Sequence, residues 1–360
     1  MHTPYHFFLA GLMLVTGSIN TITTKCGESA SKNACAGRTN GEHLFDHPFV
    51  QALAMFIGEF CCLIAYHIYV AIARPAPLKA ENGKSTTYNP IIFLLPALCD
   101  CTATSTMYVG LTLTYASQFQ MLRGSVIIFT GLLSKFWLGR KLEGFRWMGM
   151  VLVLIGLLCV GLAAFFSGSS GASAPNPILG DILIIAAQVI VALQMVIEEK
   201  FLSKYTVPPL MAVGWEGFFG MGIITTLCLI FWEVPGTRAG GKFENINDAF
   251  LQLGNSHAIQ LAIAGTIVSI AFFNFSGISV TQEMSATTRM VLDSVRTLTI
   301  WVYGMAVGWE DFQYMQVIGF FFLIMGTFVY NDLLILPALR RWGLLKPKPE
   351  EGKPLLVNDS

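Results

Sequence analysis

Residues 109–118 read VGLTLTYASQ, and residues 276–285 read SGISVTQEMS. The two stretches match in order at an offset of 167 residues. Two later pairs of glycines match at an offset of 170: Gly149 with Gly319, and Gly156 with Gly326. A drift of three residues is what short loop insertions produce, so the sequence predicts an internal repeat.

The composition around these stretches is that of a membrane protein. Apolar residues make up 54% of the 360 and charged residues only 12%, whereas a soluble domain has about 25% charged residues. The mean hydropathy is +0.61. The net charge is zero, so the charge balance gives no reason to expect a nucleic-acid partner.

A membrane-spanning helix needs roughly 20 mostly apolar residues, and ten segments meet this need. They are 5–24, 49–73, 91–113, 117–138, 145–166, 178–200, 210–232, 258–281, 286–308 and 312–336. Each copy of the repeat holds five of them, an odd number, so the second copy enters the membrane from the opposite side. The predicted fold is an all-α integral membrane protein whose ten transmembrane helices form two inverted-topology five-helix repeats, 5–166 and 178–336. Residues 337–360 are expected to be a disordered tail.

The positively charged residues predict the orientation. With the N-terminus in the cytosol, thirteen Lys and Arg residues fall in cytosolic loops and five in the opposite loops, which is the usual bias. We therefore expect both termini to be cytosolic. The first segment resembles a signal peptide in length, but it lacks an N-terminal Lys or Arg and a clean cleavage site, so we interpret it as the first helix.

Four further stretches carry a family resemblance. They are LAGLMLVTGSINT (9–21), HPFVQALAMFIGEF (47–60), QMLRGSVIIFTGLLSKFWLGRKL (120–142) and EEKFLSKYTVPPLMAVGWEGFFG (198–220). With the ten-helix repeat, they resemble the drug/metabolite transporter superfamily and, within it, the F branch of the solute carrier 35 family, which is described as nucleotide-sugar transporter-like. The resemblance implies alternating access around one central cavity.

Polar and ionisable side chains inside the segments mark the expected substrate site, because each charge at that depth costs roughly 2.5–3.5 kcal/mol. The candidate substrate-binding residues are Asn20, Glu59, Asp100, Arg123, Glu216, Asn274, Asp293 and Arg296. Two of these charged positions recur in both halves of the repeat. Glu59 and Glu216 follow Pro48 and Pro209 at similar depth, and Arg123 and Asp293 lie in corresponding segments.

These residues suggest opposite kinds of solute. Glu59 and Glu216 could bind a cationic group or carry a coupled proton, whereas Arg123 and Arg296 could bind a phosphate or carboxylate, with Asp293 holding Arg296 in place. A structural alternative stays open, because Arg289, Asp293 and Arg296 at i, i+4 and i+7 could form an ion-pair ladder. Arg289 is otherwise expected to reach towards the membrane surface, and Glu198 and Glu199 to lie at the interface.

The leading functional hypothesis is a secondary active transporter of a small polar or charged organic solute. The alternatives are a proton-coupled exporter of cations or peptides from an acidic organelle, and a non-transporting membrane scaffold. An enzyme is disfavoured because the sequence contains no Ser–His–Asp, HExxH or cysteine-rich metal pattern, and no cofactor is expected. The expected partners are the solute, the lipid bilayer and, through the apolar fifth and tenth segments, a second copy in a homodimer.

Two loops carry the remaining predictions. Cys26 and Cys35 lie in a polar loop predicted to be lumenal, where they could form a disulfide. The tail contains EGKPLL at 351–356, in which Glu351, Leu355 and Leu356 resemble an acidic dileucine sorting signal read by a clathrin adaptor. This motif favours a lysosomal or late endosomal membrane, and the wider family suggests the Golgi as the alternative.

Overall fold

The fold is described from a computed structural model of the chain. The structure describes residues 4–29, 45, 47–74, 85–113, 119, 122–139, 143–166, 176–238, 241–284, 286–307 and 314–330. Cys35, the side chain of Cys26, and the tail with Glu351, Leu355 and Leu356 lie outside the described residues. The predicted disulfide and sorting signal therefore stay predictions.

Eleven α-helices occupy the described part of the chain. In chain order they are α1 (Pro4–Ser29), α2 (Pro48–Ala73), α3 (Leu94–Leu113), α4 (Val126–Trp137), α5 (Gly144–Phe166), α6 (Pro177–Lys204), α7 (Pro209–Glu233), α8 (Ile246–Asn255), α9 (His257–Glu283), α10 (Ala286–Val307) and α11 (Tyr314–Tyr330). Short 3₁₀ turns precede α3 (Pro90–Phe93) and α4 (Arg123–Ser125), and one short strand, β1, covers Pro235–Arg238.

Helix starts follow local sequence rules. Proline occupies the first turn of α2, α6 and α7, where its missing N–H would have had no helical partner. Asn176, Asn245 and Ser256 cap α6, α8 and α9 by accepting a backbone N–H, which satisfies one exposed donor in each case.

The surface of the bundle is apolar, as expected for a protein in lipid. Six of the described helices are long and apolar enough to cross a membrane, and Gly144–Cys159 and Val317–Tyr330 are shorter apolar helices. Large hydrophobic side chains point outward, among them Ile72 (80% exposed) and Leu261 (76% exposed), while several charged side chains are buried. This inversion of the soluble pattern confirms an all-α integral membrane protein.

The helices pack in pairs that join the two halves of the chain. The most extensive contacts are those of α5 with α11, α1 with α9, α2 with α7, and α3 with α6. Lesser contacts join α2 to α9, α4 to α6, α1 to α10, and α3 to α7. In every one of these eight pairs, one helix comes from residues 5–166 and the other from residues 178–336.

The bundle has two distinct ends. At the end that we call the His47 end, α8 packs on the start of α2 through Ala249 and Val50. At the opposite end, which we call the Lys204 end, the N–H of Thr206 donates to the Ser85 carbonyl oxygen at 2.9 Å. Gln282 Nε2 donates to the carbonyl oxygen of Val207 at 3.3 Å there.

Two sequence predictions about helix boundaries were wrong. The fourth segment was expected to be one continuous α-helix over 117–138, but the 3₁₀ turn at Arg123–Ser125 interrupts it, and α4 begins at Val126. None of the ten predicted helices covers 233–257, but this stretch contains α8, whose buried face carries Ala249 and Gln252.

The glycines of α5 and α11 form a close contact inside the chain. A Cβ atom at Gly149 would lie 2.8 Å from the Gly326 carbonyl oxygen, and one at Gly156 would lie 2.7 Å from that of Gly319. Side chains larger than hydrogen would push the helices apart. Gly156 and Gly326 lie in the fifth and tenth segments, which were predicted to mediate a homodimer; within the chain they pack α5 on α11, and the homodimer stays a prediction.

Candidate functional site

A cavity of about 320 Å³ lies among eight of the described helices and the turn before α4. Its size is at the lower end of the ~300–1,000 Å³ typical of ligand pockets. All eight side chains predicted from the sequence as substrate-binding line it: Asn20, Glu59, Asp100, Arg123, Glu216, Asn274, Asp293 and Arg296. The cavity wall also includes Arg289, which the sequence assigned elsewhere.

Glycine packing between α2 and α7 brings two acidic residues together. A Cβ atom at Gly217 would lie 2.4 Å from the backbone N of Phe60 and 2.6 Å from the Cβ atom of Glu59. The side chains of Glu59 and Glu216 therefore start from backbones in direct contact. They are 3% and 8% exposed, so both carboxyl groups are buried where the two halves of the chain cross.

A third carboxylate joins them from α3. Asp100 accepts a hydrogen bond from Thr104 Oγ1 at 3.2 Å on the same helix. Glu59 accepts one from the side-chain amide of Asn274 on α9. Buried polar groups usually find such partners. One Glu216 oxygen, Oε1, is buried and has no hydrogen-bond partner within the described part of the chain.

Arg296 is held by the protein itself. Its Nη2 lies 2.6 Å from Asp293 Oδ1, and its Nη1 donates to the Gly17 carbonyl oxygen at 3.2 Å and to Thr21 Oγ1 at 3.3 Å. The guanidinium group also lies 4.8 Å from the centre of the Phe273 ring, a distance at which the ring face attracts a cation. Arg296 thus joins α10 to α1 and α9.

Arg289 forms a separate buried ion pair. Its Nη1 donates to Glu198 Oε2, and the two side chains are 7% and 1% exposed. Beside this pair, the Ala286 backbone N–H donates to Glu199 Oε2 at 3.3 Å. Removing one partner of such a pair leaves a buried charge uncompensated.

This pair corrects two expectations. Arg289 points inward to Glu198 and is 6% exposed, and Glu198 and Glu199 are 1% and 5% exposed, so all three side chains are buried within the bundle. The physical reason is that α6 continues to Lys204, so both glutamates lie more than one turn inside the helix. The ladder hypothesis holds in part, because Asp293 pairs with Arg296 while Arg289 pairs across to α6.

Arg123 and Asn20 line the part of the cavity nearer the His47 end. Arg123 was expected within a helix, but it starts the 3₁₀ turn before α4, and its guanidinium lies 5.9 Å from the Phe119 ring centre. Asn20 is buried and its Oδ1 accepts from Ser269 Oγ at 3.2 Å. Asn20 therefore contributes to the contact between α1 and α9 as well as to the cavity.

Sequence reasoning missed the apolar part of the wall. Five methionines line the cavity: Met13, Met55, Met107, Met195 and Met290. Their flexible, polarizable side chains adapt to varied ligand shapes. The amide of Gln188 also lines the wall and donates to Met107 Sδ at 3.2 Å. Methionine within an apolar segment gives no sequence signal of its position, so only the packing identifies these residues.

A second buried polar cluster, also missed, lies at the His47 end. His47 Nδ1 is 2.7 Å from Glu244 Oε1, and His47 Nε2 is 3.4 Å from Asp248 Oδ2. All three side chains are at most 2% exposed. Gln252 Nε2 donates to Asp248 Oδ2 at 3.1 Å. This cluster attaches the segment before α9 to the first turn of α2 and lies outside the cavity.

A helical membrane protein with a charged cavity between its two halves has the architecture of a membrane transporter. Residues 44–162 match the EamA-like transporter family. The chain is 49% identical over 356 residues to the human protein named Solute carrier family 35 member F6, covering 98% of this chain and 95% of that one. The rat protein of the same name is 48% identical over 366 residues, covering 99% and 97%.

A solved crystal structure shares the fold at a TM-score of 0.53 and 13% identity, covering 94% of this chain and 99% of the other. The sequence identities extend over nearly the whole chain. The chain therefore belongs to the F branch of the solute carrier 35 family, in the drug/metabolite transporter superfamily.

Proposed function

We propose that this chain is a secondary active transporter of a small polar or charged organic solute, working by alternating access around the charged cavity. The observation that carries the proposal is that the eight polar candidates, spread from Asn20 to Arg296, line one cavity. Charges buried among membrane helices are costly unless they serve a pathway or a binding site.

The helix contacts support an inverted repeat of two five-helix halves. If α1 to α5 correspond to α6, α7, α9, α10 and α11, the α1–α9 contact becomes the α6–α3 contact. The α2–α7 and α5–α11 contacts map onto themselves. The lesser pairs also exchange, α2–α9 with α7–α3 and α4–α6 with α10–α1. This is the contact pattern expected of two halves related by a twofold axis in the membrane plane.

The glycines of α5 and α11 give a residue-level form of the same argument. Under the offset of 170 residues, Gly149 corresponds to Gly319 and Gly156 to Gly326. The contact of Gly149 with Gly326 then maps onto the contact of Gly319 with Gly156, and both contacts occur. The spacing of the glycines along the chain and their packing in space therefore agree with one repeat.

The Glu198–Arg289 pair suggests how access to the cavity is controlled. Together with the bond from Ala286 to Glu199, it joins α6 to the start of α10 at the Lys204 end. On the positive-inside argument this end is cytosolic, so we propose that the described conformation is closed towards the cytosol. We also propose, from the tail motif, that the membrane is lysosomal or late endosomal.

A proton-coupled mechanism is the second candidate, and the unpaired Glu216 oxygen favours it. A membrane scaffold that transports no solute would not need the charged side chains that line the cavity. A nucleotide-sugar substrate would follow the wider family, and the arginines of the cavity are the residues that could bind its phosphates.

The test is uptake into proteoliposomes of the purified protein, with and without a proton gradient. The panel contains nucleotide sugars, nucleotides, amino acids, short peptides and organic cations. Arg296→Ala and Glu59→Gln are compared with Glu283→Gln, a control carboxylate whose side chain is 50% exposed at the Lys204 end. We expect uptake of at least one class by the wild type and the control, and its loss in a cavity variant. Equal uptake by all variants and by empty liposomes would contradict a transport function.

A further inference from the structure

The acidic side chains of the cavity outnumber their basic partners. Glu59, Asp100, Glu216 and Asp293 line it together with Arg123, Arg289 and Arg296. Arg289 pairs with Glu198, which lies just behind the wall, and Arg296 pairs with Asp293. Within the described residues, no Lys, Arg or His nitrogen lies within 4.0 Å of the carboxylates of Glu59, Asp100 or Glu216.

These three carboxylates come from neighbouring helices. Helix α7, which carries Glu216, packs on both α2 with Glu59 and α3 with Asp100. Glu216 supplies the independent observation, because its side chain lines the cavity, is only 8% exposed, and carries a buried Oε1 atom that has no hydrogen-bond partner among the described atoms. A buried acceptor without a partner is costly, and a cationic donor bound at this carboxylate would offset that cost.

Two of the three arginines that line the cavity already have a carboxylate partner within the protein. Arg296 already donates to Gly17 and Thr21 and pairs with Asp293. The positive charge of Arg289 is balanced by the carboxylate of Glu198. A nucleoside diphosphate would bring two phosphates close to three carboxylates that have no basic partner among the described residues, and like charges in a low dielectric repel strongly.

From this charge distribution we infer that the cavity takes a small solute with an N–H-bearing cationic group, an ammonium or guanidinium, which sits between Glu59, Asp100 and Glu216. The inference rests on the proposed transport function and names its substrate class. A group with N–H donors fits better than a quaternary ammonium, because the site offers carboxylate acceptors and not the aromatic cage that quaternary cations favour. The volume of about 320 Å³ fits a solute the size of an amino acid or a short peptide. The methionines would contact its apolar part.

The binding test is ligand-induced thermal stabilisation of the purified full-length protein. The probes are lysine, agmatine and lysyl-alanine as cations, and glutamate, citrate and uridine monophosphate as anions, each at millimolar concentration. A ligand that binds only the folded state raises Tm. We expect the cations to raise Tm for the wild type and for Glu283→Gln, and the anions to leave it unchanged.

Glu216→Gln is the decisive variant, since it keeps the side-chain shape and removes the charge. We expect it to weaken cation binding by about tenfold or more, as the loss of a charged hydrogen bond implies. Asp100→Asn provides a second variant should Glu216→Gln fold poorly. Stabilisation by the anions alone, equal stabilisation of Glu216→Gln by the cations, or no shift with any cation would each overturn the inference.

Uptake of the same labelled probes into proteoliposomes separates the inference from the proposed function. If the protein took up an anion and bound no cation, the proposed transport function would be supported and the inferred cationic substrate class would be wrong. If the wild-type protein bound the cations but took none of them up, the inferred cation-binding site would be supported and the proposed transport function would be contradicted. Uptake of a cation that is lost in Glu216→Gln and kept in Glu283→Gln would support both.

Discussion

Two helix crossings of this molecule are built in the same way and differ in what they bury. At the α5–α11 crossing, glycines on both helices let the backbones touch, and the surrounding cluster is apolar, with Val153, Phe320 and Leu323. At the α2–α7 crossing, Gly214 and Gly217 again let the backbones touch, but Glu59 and Glu216 are buried there.

The difference between the two crossings indicates the role of the Glu59 and Glu216 carboxylates. Among the described residues of α5 and α11, no acidic or basic side chain is buried, so glycine and apolar contacts suffice to pack two helices of this bundle. Glu59 and Glu216 therefore add a desolvation cost to a contact that does not need them. We interpret them as residues retained for the solute and not for folding. The variants below test this interpretation, in order of decreasing effect on stability.

The first variants, Gly149→Leu and Gly217→Leu, should damage the two crossings alike. A Cβ atom at these positions would come within 2.6 Å and 2.4 Å of neighbouring backbone nitrogen atoms, so the helices must separate. We expect loss of the monodisperse folded protein in size-exclusion chromatography. Gly11→Leu is the control, because nothing lies within 4 Å of a Cβ atom there. If Gly217→Leu were tolerated while Gly149→Leu was not, the two crossings would not be equivalent in packing.

Next comes the buried ion pair near the Lys204 end. Arg289→Gln leaves Glu198 buried without its counter-charge, which should destabilise the fold by about 3–5 kcal/mol. Thermal unfolding monitored by tryptophan fluorescence measures this effect. Lys200→Gln, at an exposed charge on α6 two residues after Glu198, should change stability by less than ~0.5 kcal/mol. A negligible effect of Arg289→Gln on stability would contradict the proposal that this ion pair closes the Lys204 end of the cavity.

A smaller effect is expected at the cluster outside the cavity. His47→Leu removes the partner of Glu244 and Asp248, leaving buried acceptors unsatisfied at a cost of roughly 1–3 kcal/mol. Tm should fall, while uptake per folded molecule should stay at the wild-type value because His47 does not line the cavity. Loss of uptake with Tm unchanged would show that this cluster takes part in transport.

Much of the site was predictable from single residues. A charged side chain inside an apolar segment has few places to lie, so the sequence alone assigns Glu59, Asp100 and Glu216 to an interior cavity. The repeat gives the same result for Glu216, because its position after Pro209 parallels that of Glu59 after Pro48. The all-α membrane fold follows from segment length and composition alone.

The pairing of charges could not be predicted. Arg289, Asp293 and Arg296 share one face of a helix, which favours a ladder, but Arg289 pairs with Glu198 on α6. That contact depends on how far α6 extends, and a helix end is the least certain feature of an apolar segment bounded by Lys and Glu. The sequence could not predict the His47 cluster either, because His47 and Glu244 are separated by 197 residues in the chain.

The role of the buried carboxylates is tested most directly by the double variant Glu59→Gln with Glu216→Gln, measured for Tm and for uptake in the same preparation. If these carboxylates serve the solute, Tm stays at or above the wild-type value, since two buried charges are removed without changing shape, and uptake of the cationic solute is lost. A large fall in Tm, with wild-type uptake by the molecules that remain folded, would contradict this role and make Glu59 and Glu216 part of the packing.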